Sequence, residues 1–179
     1  MSDNDFLQRF IIEEGGARGE LVRLKESYQS MDTHVKYPTE LKLLLGEAMC
    51  AATLLTATLK FEGKLSIQLQ GEGAVSLLLI QSTHKRKMRA MARWSGDLAG
   101  KNFRELIGKA KLVITIEPDE GKRYQGIVPL EGETLSQCIE HYFLQSEQLP
   151  TQIWLSANEE VCAGFFLQKL PGHEGETKP

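Results

Sequence analysis

Histidines, cysteines, serines and clustered carboxylates are the residues of this chain that could do chemistry. His34, His84, His141 and His173 stand apart, with no HExxH motif and no carboxylate or cysteine at metal-ligand spacing. Glu140 precedes His141 on a stretch of helical periodicity. Adjacent helical residues diverge, so that carboxylate is not expected to orient the imidazole, and a solvated helix face is the better reading. Cys50, Cys138 and Cys162 are odd in number and far apart. That pattern argues against a disulfide framework or a zinc knuckle and for small buried apolar residues. Ser66, Ser76 and Ser95 lie in no nucleophile elbow. "GEGAVS" (71–76) opens like a phosphate loop, but it joins one strand to another and lacks the Lys-Ser/Thr ending, so it reads as a hairpin turn. Glu117, Asp119 and Glu120, and Glu131 with Glu133, sit beside Gly or Pro in polar loops. Exposure and ordinary pKa values are expected there. No catalytic residue is assigned, and the chain is not expected to be an enzyme.

The composition points the same way. With 179 residues, 41% hydrophobic and 25% charged, the chain fits one core domain, placed at residues 1–170. A formal charge of -3 gives no general attraction to nucleic acid or anionic lipid. The one basic cluster, "HKRKMRAMAR" (84–93), reads as a guarded strand edge rather than a phosphate-binding surface. No secretory signal opens the chain, and the uncharged run Ala48–Leu59 is too short and too rich in Thr and Ala for a membrane span. A cytoplasmic protein with no membrane and no nucleic-acid partner is expected.

The elements that must position these residues follow from periodicity. "FLQRFIIEE" and "ARGELVRLKES" read as strands joined at Gly15-Gly16, and a helical stretch follows over "YQSMDTHV". "YPTELKLLLGEAMCAATLLTATLKF" is the clearest helix, with Pro38 in its first turn and a stripe of Leu41, Leu44, Leu45, Ala48, Ala52, Leu55 and Leu59. Its second half is apolar or small all round, as expected of a helix at the centre of a domain. "KLSIQLQ", "AVSLLLI" and "KMRAMARW" read as strands, the last with Met88, Ala90, Ala92 and Trp94 opposite Lys87, Arg89 and Arg93. "NFRELIG" is a short helix, and "KLVITIEP" and "RYQGIVPL" form a hairpin around "DEGK", whose Gly supplies positive φ. Thr134 caps a helix with Leu135, Cys138, Ile139, Tyr142 and Phe143 on one face. "TQIWLSA" and "VCAGFFLQKL" close the fold, and the tail 171–179 is expected to be disordered. Strands grouped around a few helices predict an α+β fold: antiparallel or mixed sheets around a central buried helix.

Segment after segment is apolar on one face and only mildly polar on the other. Helices covering both sides of the sheet would make all of it core. The alternative is a sheet face left open as an apolar patch for binding other proteins.

Four blocks carry a resemblance. "ARGELV", "LLTATLKFEGKLSIQLQGEG", "MRAMAR" and "VITIEPDEGKRYQGIVPLEGETLSQCIEHYFLQSEQLPT" resemble the redox-regulated bacterial heat-shock chaperones, the thirty-three-kilodalton chaperonin family, from about Phe6 to Leu170. The resemblance implies an ATP-independent holdase that binds unfolding client proteins under oxidative and heat stress. In that family a C-terminal module holds zinc through CxC and CxxC cysteines, and oxidation releases the zinc, unfolds a linker and favours dimers. That cysteine pattern is absent here, so no zinc and no redox switching of that kind are expected in this chain, which looks like a form without linker and zinc module. Constitutive client binding is then expected, in a homodimer or alone. Alternation suggests Met88, Met91, Trp154 and Phe166 as contacts. The other implied role is a structural dimerisation module that needs the linker for client binding.

Overall fold

The computed structural model describes residues 4–60 and 62–171, so residues 172–179 of the expected disordered tail, with His173, lie outside the described residues. Two sheets flank one long helix. The first sheet has strand order β1-β2-β9-β8, with β1 (Phe6–Ile12), β2 (Ala17–Leu24), β8 (Thr151–Ala157) and β9 (Cys162–Lys169). The second has order β5-β4-β3-β6-β7, with β3 (Gly63–Gly71), β4 (Val75–Thr83), β5 (Met88–Trp94), β6 (Ala110–Pro118) and β7 (Tyr124–Pro129). Every pairing is antiparallel, so the α+β expectation stands and its "mixed" option does not.

α1 (Glu26–Ser30) and a single 3₁₀ turn (Met31–Thr33) replace the one helical stretch expected over 28–35. The Asp5 carboxylate fixes the start of α1, accepting from the backbone N–H of Lys25, Glu26 and Ser27. The long helix is α2 (Thr39–Thr58), packed against β2, β8 and β9 on one side and β3, β4 and β5 on the other. Being covered from both sides explains why its second half needs no polar face. Its buried threonines satisfy themselves: Thr53 and Thr56 donate their hydroxyls to the carbonyls of Met49 and Ala52, at 2.9 and 2.6 Å. Pro38 is the N-cap rather than a first-turn residue, and Leu59 has already left the helix with ψ 140°. By length and composition α2 is apolar enough to cross a membrane, which the Ala48–Leu59 run alone did not suggest, but in this fold it is the core.

α3 (Phe103–Ile107) starts at a capping box between Asn102 and Glu105, and α4 (Leu135–Tyr142) is capped by Thr134 as expected. Leu135, Cys138, Ile139 and Tyr142 are buried from α4, whereas Phe143 already belongs to a π turn (Phe143–Glu147). Gly121 in "DEGK" has φ +117°, the positive value that the hairpin turn needs. Gly73 serves a different need: its N–H donates to the Ile107 carbonyl, and a Cβ there would sit 2.6 Å from the Leu106 oxygen.

Candidate functional site

Both sheets direct one face at α2, so each outer face lies away from the central helix. On the first sheet the register puts Phe6, Phe10 and Ile12 of β1 beside Arg23, Gly19 and Ala17 of β2. Leu21 faces Phe165, which in turn faces Trp154 of β8. Gly19 has a specific task. A Cβ there would lie 2.2 Å from the Phe10 ring, so only a residue without a side chain lets that ring lie across β2. The ring reaches Phe165 with centroids 5.7 Å apart in a stacked pose, and Phe165 meets Trp154 at 5.4 Å. The result is an aromatic row spanning four strands, with Leu21 and Leu167 beside it. Trp154 is 50% exposed, Ile12 43% and Phe6 40%. Gln8, Gln152 and Ser156 supply uncharged polar atoms on the same face, while Arg23 and Lys169 stand at opposite ends. Such a surface offers aromatic contact area with little charge to desolvate, which suits an extended apolar segment.

The outer face of the second sheet is different in kind. Met91, Leu79, Val113 and Ile127 are interrupted by Gln68 and flanked by Arg89, Arg93, Lys64 and Lys111. Gln81 donates to Ser66 and Gln125 to Thr115, tying polar side chains together across strands. β5 is an edge strand, the position that the basic cluster was expected to guard.

The four residues picked from alternation do not come together. Trp154 lies on the aromatic row. Met91 is exposed on the other sheet, and Met88 points inward and packs against the core. Phe166 is corrected outright: it is 0% exposed and faces α2, so its neighbour Phe165 carries the outer surface. Phe10, Leu21 and Phe165 were missed. The even-numbered spacing of Phe6, Phe10 and Ile12 was the available signal, but sequence alone does not say which face of a strand stays open.

The titratable groups assemble no catalytic constellation among the described residues. His141 Nε2 lies 2.8 Å from Glu131 and 2.7 Å from the Gln145 amide, a pairing across a loop that sequence spacing did not show. Glu140 turns away to accept from the Ile153 N–H, as its divergence from His141 predicted. The fold does gather Glu62, His84 and Asp119 from three loops, with potential ligand atoms within 4.8 Å. His84 Nδ1 lies 2.9 Å from the Gly63 nitrogen and 3.2 Å from the Gly63 carbonyl oxygen, so backbone groups already surround that atom, while Nε2 is buried without a hydrogen-bond partner. Glu117 departs from the ordinary pKa expected of it: Lys64 at 2.8 Å holds it below the usual carboxylate range, with Arg123 helping. All three cysteines are buried thiols, and burial pushes Cys138 up to about 11.

Comparison with known proteins agrees with this fold. The family described as "Hsp33 protein" matches residues 5–178. A 33 kDa chaperonin of Shewanella sp. (strain W3-18-1) is 50% identical over 173 residues, covering 96% of this chain and 60% of that protein. The 33 kDa chaperonin of Shewanella frigidimarina is 49% identical over 176 residues, covering 98% and 62%. The crystal structure of the 33 kDa chaperonin (heat shock protein 33 homolog) from Thermotoga maritima superposes with a TM-score of 0.81 at 19% identity, over 93% of this chain and 61% of that one. The chain thus spans about 60% of the length of the curated relatives it matches. It belongs to the Hsp33 family.

Proposed function

We propose that this domain is the client-binding part of an ATP-independent holdase, and that it captures unfolding proteins on the outer face of the β1-β2-β9-β8 sheet. The observation that carries the reading is the row Phe10–Phe165–Trp154 on a face turned away from α2. An unfolding client offers apolar side chains and unsatisfied backbone, and an amide-rimmed aromatic face takes the first without charge selection. Family membership supports a chaperone role. In the longer family members, this reading assigns zinc binding and redox control to residues outside the segment that matches this chain, places the protein in the cytoplasm, and allows a homodimer of this domain.

The test is light scattering as a chemically unfolded client is diluted into buffer with this domain. Trp154→Glu and Phe165→Glu, checked for folding by circular dichroism, should each require about tenfold more domain for half-suppression, equivalent to roughly 1.4 kcal/mol of binding. Met91→Glu on the other sheet should change little. Unaltered suppression in folded Trp154→Glu and Phe165→Glu would sink the assignment. If sedimentation instead shows that these two variants convert a dimer to monomers without affecting suppression, the face is a subunit interface.

A further inference from the structure

The corner where α3 meets the second sheet holds an open cleft of about 730 Å³, the size of an ordinary small-molecule pocket. Glycines build it. Gly71 lets the end of β3 lie against the end of α3, since a Cβ there would collide with the Ile107 carbonyl oxygen. Gly108 turns the chain out of α3 with φ +66°, and the Glu72 N–H then donates to the Lys109 carbonyl at 2.9 Å. Two lysines are thereby placed on the wall: Lys109 in the turn, and Lys111 on the outer face of β6 between Gln70 and Pro129. Arg104 joins them from α3 and donates to the Leu130 carbonyl at 3.3 Å, which leaves most of its N–H groups for other acceptors. None of these three cations is in an ion pair among the described residues, and Glu72 is the one carboxylate on the wall. Elsewhere on the same sheet Lys64 is neutralised by Glu117 at 2.8 Å. The rest of the wall is largely apolar, with Val128, Pro129 and Ile127, whose side chain is left 58% exposed.

We propose that this cleft binds a small amphiphilic anion, a carboxylate on an unbranched alkyl chain, with its headgroup among Arg104, Lys109 and Lys111 and its chain along Ile127 and Pro129. Three cations against one carboxylate give the cleft a positive field, although the whole chain carries a formal charge of -3. The guanidinium supplies charge-assisted hydrogen bonds, and the two ammonium groups add charge from the neighbouring wall. Each CH₂ laid against the apolar wall leaves water, so affinity grows with chain length. An alkyl cation meets repulsion in the same place, and a headgroup without a chain lacks the apolar contact. The cleft shares no residue with the Phe10–Phe165–Trp154 row and lies on the other sheet, so it stands whether or not that row captures clients.

The test titrates the isotope-labelled chain with decanoate, below its micellar range and at low salt, and follows the backbone amide resonances. The expected result is saturable shifts at Ala110, Lys111 and Ile127, half-complete at or below about 1 mM. Lys109→Met combined with Lys111→Met should weaken binding about tenfold, and added salt should weaken the wild type in the same direction. Ile127→Ser should weaken it roughly fivefold through lost apolar contact. All three positions are exposed, so these variants should fold, as circular dichroism checks. Lys85→Met, in the exposed β4–β5 turn, should bind as the wild type does. Decyltrimethylammonium and acetate should leave the cleft amides unmoved. Undiminished binding by the folded lysine variant would overturn the headgroup assignment. Equal shifts with decyltrimethylammonium, no saturable shift with decanoate, or shifts confined to the Phe10–Trp154 face would each overturn the proposal as a whole.

Discussion

Replacing Glu20 by Gln should remove part of the pH dependence of stability, and the size of the effect follows from where Glu20 sits. Its side chain points into the first sheet's inner face and is 4% exposed. One carboxylate oxygen is 4.0 Å from Arg9 Nε, and the other has no hydrogen-bond partner. Burial pushes the carboxyl up from 4.5 to about 7, against the opposing pull of Arg9 and Arg18. As pH rises above 4.5, the unfolded chain ionises this group first, so the native state binds more protons and stability falls until about pH 7. At ~1.4 kcal/mol per tenfold change in protonation, the full effect is about 3 kcal/mol. A glutamine keeps the shape but loses the Arg9 attraction and leaves its amide poorly paired, so the net gain at pH 8 is about 2 kcal/mol. That corresponds to an unfolding temperature higher by about 4–8 °C. Glu47, also raised to about 7 by burial, titrates in the same window and should give the variant a residual slope. Urea unfolding at pH 5, 6, 7 and 8 measures both proteins. Parallel stability–pH curves for Glu20→Gln and wild type would refute the reasoning, because they would mean that Glu20 ionises in the fold as easily as in the unfolded chain.

Two further substitutions test the packing that holds the site. Gly164→Ala places a Cβ 2.9 Å from Leu54 Cδ1 and 3.1 Å from Leu155 Cδ2, so it should lower stability by about 1–3 kcal/mol in urea titration. Asn102→Ala removes the acceptor that Glu105 N uses at 2.9 Å, and it should cost about 1 kcal/mol, read as a fall of about 2–4 °C in unfolding temperature.

Much of the fold was legible because its signals are local. The small and apolar second half of α2, the Thr134 cap and the alternation in β3 and β5 each carry their own explanation, and each is found in the structure. The failures occur where the deciding partner is distant. Phe165 and Phe166 must point to opposite faces, but only the position of α2 selects Phe166 as core. Gly19 looks like an ordinary strand glycine until Phe10 is seen to lie across it. The His141–Glu131 contact and the Glu62–His84–Asp119 cluster join segments that sequence spacing keeps apart.

The architecture itself accounts for an open apolar surface. A helix covered on both sides satisfies the inner faces of two sheets at once, so both outer faces must either be polar or find another occupant. The second sheet takes the first course, with arginines and lysines among its apolar residues and amide–hydroxyl pairs across its strands. The first sheet does not: a strand glycine that admits Phe10, and aromatics at facing positions of β8 and β9, build a continuous apolar row instead. Solubility alone would favour charge on this face as on the other. Aromatic rings from β1, β9 and β8 that meet over Gly19 of β2, on only one of the two outer faces, support the client-binding reading proposed above.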